Sequence, residues 1–137
     1  MLVAELFEDM HRRCDELLMT LDKLVQREDW TQAEETYSRF RTSMRAHFEA
    51  EEDELFPAFE RLSFANSTSV AIMRREHHQM NGMMDYMGGA LAVCDVSSYL
   101  GESLRLRTML AQHGRKEDYL MESVFGHSGG EITRDVT

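Results

Sequence analysis

The chain has 137 residues, enough to bury one hydrophobic core and too few to divide comfortably into two, so a single domain is expected. Its 25 acidic against 15 basic residues give a net charge of -10, which repels phosphate backbones and anionic lipid and so argues against nucleic acid or a membrane surface as a partner. No run of about 18 apolar residues occurs, and the opening MLVAELFEDMHRRCDELL is acidic and amphipathic rather than an export signal, which points to a cytoplasmic protein.

One proline, eight glycines and eleven methionines among many Leu, Glu and Arg favour helices, and an all-α fold follows. The first apolar series, Phe7, Met10, Cys14, Leu17, Leu18, Leu21, Leu24 and Val25, has the three-and-four spacing of a helix with one buried face, and it stops near Asp29 and Trp30. Thr31 with Glu34 has the form of a capping box opening the second helix, whose series Tyr37, Phe40, Met44, Phe48 and Leu55 runs to Pro57. PAFERLSFANST, residues 57–68, reads as the longest connection. A third series follows as Val70, Met73, Met80, Met84, Met87 and Leu91, its last turns weakened by Gly88 and Gly89. The fourth is Leu106, Met109, Leu110, Leu120 and Val124. Beyond it small polar residues take over, so residues 1–125 are expected to form the domain and 126–137, with His127, a flexible C-terminal tail. Four such helices pack most simply as an up-down-up-down antiparallel four-helix bundle, with a coiled-coil dimer of two hairpins as the rival. Cys14 and Cys94 are too few for a disulfide scaffold and are expected to be reduced, partly buried thiols.

Each helix carries a histidine on its apolar stripe: His11, His47, His77 or His78, and His113. His11 and His47 are 36 residues apart with their midpoint at the Asp29-Trp30 turn, and His77 and His113 are again 36 apart with their midpoint at Asp95. In an antiparallel hairpin, residues equally far from the turn lie at one height, here about 27 Å from it, so each hairpin sets its two histidines side by side. The midpoint between His47 and His77 is Leu62, within the long connection, which brings both pairs to one level. Two carboxylates join them, in His47-x-x-x-Glu51 and His113-x-x-x-Glu117, each one helical turn along the same face. Two carboxylates in an apolar interior without a cation would cost roughly several kcal/mol each, so a metal is expected. Imidazole and carboxylate together suit iron, manganese or zinc. Six donors exceed one tetrahedral zinc and fit two ions, with Glu51 and Glu117 spanning both and two histidines on each.

These residues, with the REHHQM stretch, resemble the hemerythrin-like (HHE) cation-binding family over about residues 5–125. The resemblance implies a four-helix bundle holding a non-haem pair of iron ions, oxo- or hydroxo-bridged, with oxygen, nitric oxide or peroxide as the reacting ligand. It implies His11, His47, Glu51, His77, His113 and Glu117 as ligands. The family places the third-helix ligand directly after Glu, which favours His77 over His78. The oxygen carriers of the family have a further histidine four residues before it, where this chain has Met73, and a carboxylate five residues after the last histidine, here Asp118. Glu117 is preferred because it repeats the spacing of the first half, and Met73 leaves one iron a ligand short, which points away from oxygen storage toward sensing, stress response or redox chemistry.

Three functions are therefore weighed: a protein that reacts with a small oxidant, a sensing module whose readout passes to a separate, unidentified protein, and iron storage or delivery. Reversible oxygen binding is a further alternative. Tyr37, Tyr86, Tyr119 and Glu76 are conceivable proton sources, but packing or solvation explains each as well, and none is assigned as a catalytic residue. The methionines of the third helix read as core filling.

Overall fold

The computed structural model describes residues 3–125, with side chains from 5 to 122. It is all-α. Helix α1 spans Val3–Gln26 and α2 Trp30–Ala50; a π-helical turn at Glu51–Leu55 leads into the short α3, Phe56–Leu62; α4 spans Asn66–Ala92 and α5 Val96–Phe125. The hairpins α1–α2 and α4–α5 pack together through α1 against α5 and α2 against α4, which closes an up-down-up-down bundle within one chain. The tail expected from residue 126, with His127, lies outside the described residues. Among the described residues, no helix is long and apolar enough to cross a membrane.

The two hairpin turns are built alike. Each first helix ends in a left-handed residue, Glu28 at φ 57 and Cys94 at φ 55. The next amide folds back onto the helix, from Asp29 to the Leu24 carbonyl and from Asp95 to the Ala90 carbonyl, both at 2.9–3.0 Å. The aspartate then caps the following helix: Asp29 accepts from the Gln32 amide and Asp95 from the Ser98 amide and hydroxyl. The capping box expected at Thr31 is thus corrected. Asp29 reaches the third helical amide first, which leaves Thr31 inside the first turn. Cys94, expected to be partly buried, is exposed in its turn, while Cys14 is buried; both are free.

A second correction concerns Pro57. The chain remains helical through it to Leu62, so the expected connection 57–68 shrinks to residues 63–65. The wide turn bonds the Phe56 amide to the Glu51 carbonyl, and Pro57 falls in the first turn of α3, where no amide hydrogen is needed. Phe56 and Phe59, both fully buried, cap this end of the bundle.

The core has two apolar layers. One, nearer the hairpin turns, gathers Leu18, Leu21, Phe40, Met84, Leu91 and Leu106; the other, toward α3, gathers Phe7, Leu55, Phe56, Val70, Met73 and Leu120. His11, His47, His77 and His113, one from each long helix, lie between them. Along α1 and α5, Asp22 accepts from Tyr99, Ser103 and Arg107, tying those helices together on the turn side of this polar layer. Where α2 meets α4, the Tyr37 hydroxyl donates to the Met84 carbonyl, and a Cβ on Gly88 would come within 2.6 Å of the Tyr37 hydroxyl oxygen. A Cβ on Gly89 would meet nothing within 4 Å. Gly89→Ala is therefore expected to raise stability by about 0.5–1 kcal/mol. Gly88→Ala, with the same propensity gain, is expected to fall below Gly89→Ala by about 1–3 kcal/mol, which urea denaturation of the pair would check.

Candidate metal centre

Each of the four long helices delivers one imidazole to the layer between the apolar clusters. His47, His77 and His113 are buried; His11 is 34% exposed. One turn after His47, Glu51 is fully buried and reaches all four. Its Oε1 lies 2.6 Å from His77 Nε2 and 3.1 Å from His113 Nε2, while Oε2 contacts His47 Nε2 and lies 3.9 Å from His11 Nε2. Glu117, one turn after His113, spans the layer too, with Oε1 3.3 Å from His11 Nε2 and Oε2 3.4 Å from His113 Nε2. Donor atoms of His11, His47, Glu51 and Glu117 all lie within 4.8 Å of one another, as do those of Glu51, His77 and His113. These are two donor groups sharing one carboxylate. His78 and Asp118, the alternatives weighed from sequence, are both exposed, and Asp118 reaches neither donor group although it borders the cavity beside His11.

Without a cation, the carboxylates of this layer hold protons on its imidazoles. Burial would lower His11 and His113, but the nearby Glu117 and Glu51 carboxylates outweigh it and raise both to about 10. Burial would raise Glu51, yet its hydrogen bonds with Glu117 and the histidines hold it well below the usual carboxylate range. Burial and the neighbouring Glu51 raise Glu117. Even so, Glu117 Oε2 and His47 Nδ1 are buried with no hydrogen-bond partner. A buried carboxylate oxygen without a donor is an unpaid desolvation that a metal ion would offset, so the residues present fit a cation.

Two further carboxylates, which sequence analysis did not assign to the site, grip the imidazoles from behind. Glu52 Oε2 lies 2.6 Å from His77 Nδ1, and Glu76 Oε1 lies 2.8 Å from His113 Nδ1. Both directly adjoin a histidine or glutamate of the centre in the chain, but that signal is too common to single them out. The π turn beginning at Glu51 lets successive glutamates meet both nitrogens of His77. Phe48 stacks on His77 at 3.9 Å between ring centroids, and Phe56 at 5.3 Å. On the opposite side a cavity of about 440 Å³ between α1 and α5, lined by Cys14, Met44, Leu110 and Gly114, opens onto His11 and His47.

The family model described as the hemerythrin HHE cation-binding domain matches residues 2–125. The chain belongs to this family. No curated protein and no solved structure was found to match. Cation binding by the hemerythrin-like domain agrees with the two His/Glu groups of the layer, whose nitrogen and oxygen donors suit iron, manganese or zinc rather than the all-oxygen ions. Met73, fully buried one turn before His77, packs with the apolar layer and supplies no nitrogen or oxygen donor there.

Proposed function

We propose that this hemerythrin-like domain is a non-haem di-iron protein that binds or reacts with a small oxidant, oxygen, nitric oxide or peroxide, in sensing, stress response or redox chemistry. His11 and His47 would hold one iron, His77 and His113 the other, with Glu51 and Glu117 spanning both. The observation that carries this reading is Glu51: its two oxygens face two different imidazole pairs, as a carboxylate shared by two ions requires. A ferrous pair held there would supply up to two electrons to the oxidant on becoming ferric. The protein's own part is to exclude bulk water with the phenylalanines beside His77 and to admit a small ligand through the cavity beside His11. The free thiols of Cys14 and Cys94 accord with a reducing cytoplasm.

Metal analysis with an optical spectrum of the air-exposed protein tests this, because a ferric pair absorbs in the near ultraviolet and zinc does not. Two irons per chain with that absorption are expected, and His47→Ala is expected to lose metal. Unchanged metal content in His47→Ala would refute the ligand assignment. A second reading, iron storage or delivery, draws on the partial exposure of His11, which gives one ion a path to solution. Stopped-flow mixing of the reduced protein with oxygen, nitric oxide and peroxide separates the two: turnover or adduct formation supports oxidant chemistry, and indifference to all three supports storage.

A further inference from the structure

The four imidazoles offer the centre the same nitrogen, but they are not held alike. Behind His77 runs a chain of contacts, from Nδ1 to Glu52 and from Glu52 to Arg74 at 4.0 Å; Arg74 also bonds Glu60 and lies over the Phe56 ring. Behind His113 runs its counterpart, from Nδ1 to Glu76 and from Glu76 to Lys116. Each is an imidazole, a carboxylate and a surface cation in series. An ionised carboxylate only accepts, so Nδ1 carries the hydrogen and Nε2 is left to face the centre. The other half has no such support: His47 Nδ1 is buried without a partner, and His11, a third exposed, borders the cavity.

We propose that Glu52 and Glu76 are positioning residues that pre-set His77 and His113 for their metal ion, and that the His11–His47 half is the position from which metal exchanges with solution. This rests on the two-metal reading above. Donor number does not favour the His77–His113 half: four donors group closely around His11 and His47 but three around His77 and His113, where Glu117 is within reach only of His113, at 3.4 Å. The expected difference is therefore one of exchange rate, governed by solvent access and by how firmly each ring is held, rather than of ligand count. Glu52 and Glu76 touch neither metal nor oxidant and act through the rings that do.

The test loads the full chain with ferrous iron in the absence of air and challenges it with an excess of a chromophoric chelator. Two release phases of equal amplitude are expected. Glu52→Ala and Glu76→Ala are each expected to accelerate the slow phase by about 10–100-fold while leaving the fast phase unchanged. Glu52→Gln and Glu76→Gln keep the shape and an acceptor for Nδ1–H but remove the charge, so a smaller acceleration is expected. Circular-dichroism melting of the metal-free variants confirms that they fold, and the glutamine variants carry the test should an alanine variant unfold. Release from the unsubstituted protein in a single phase would overturn the inequivalence of the halves, and folded variants with an unchanged slow phase would overturn the positioning role. Failure of the unsubstituted protein to bind iron would instead defeat the di-iron reading itself.

Discussion

Glu51→Ala is expected to leave the protein unable to retain either metal ion. Glu51 is the one side chain common to both donor groups, fully buried and within 3.9 Å of all four imidazole Nε2 atoms. Removing it takes a charged ligand from each ion at once. The loss should exceed the roughly 10–100-fold typical of a residue that merely supports a ligand. Metal per chain after desalting is expected to fall from two to below one. Asp118→Ala provides the contrast: Asp118 is exposed, whereas Glu117 is buried in the layer, so metal content should be unaffected by it. Retention of both ions by Glu51→Ala would remove the basis for a shared carboxylate, and loss of metal in Asp118→Ala would reassign the fourth-helix ligand.

Metal loading at pH 7 is expected to release about two protons, because His11 and His113 stand at about 10 in the metal-free protein and an imidazole must give up its Nε2 proton to bind a cation. Calorimetric titration in buffers of different ionisation enthalpy measures this directly. The same two groups set an alkaline limit for the metal-free fold. Their folded values lie above the ordinary 6.5, so the stability they add is fully present below about 6.5 and is lost as pH rises through about 10. The urea midpoint of the metal-free protein should therefore fall between pH 7 and 10, while metal affinity should rise over the same range. No proton release at pH 7, or a metal-free midpoint that climbs with pH, would mean that the carboxylates do not charge these imidazoles.

Much of this was legible along the chain. The stripes that begin at Phe7, Tyr37, Val70 and Leu106 define the four long helices because a helix repeats its buried face every three or four residues. The equal 36-residue spacings put histidines level across each hairpin, and the one-turn offset sets Glu51 beside His47 and Glu117 beside His113. Local chemistry misled at two places. Asp29 rather than Thr31 caps α2, and Pro57 starts a helical turn instead of ending one, since a π turn just before it removes the need for its missing hydrogen.

What sequence alone determined, then, is whatever depends on periodicity within one helix and symmetry about one turn: the all-α bundle and the level at which its polar side chains gather. Only the folded chain decided which way each helix is rotated, and so that His77 and Glu117 face inward while His78 and Asp118 face water. It alone joined Glu52 to His77 across 25 residues, Glu76 to His113 across 37, and Asp22 to Tyr99 across 77. Such partners sit on different helices, where no spacing rule links them. Their contact is set by the packing of the apolar layers above and below, which determines how far each helix turns and slides against its neighbour.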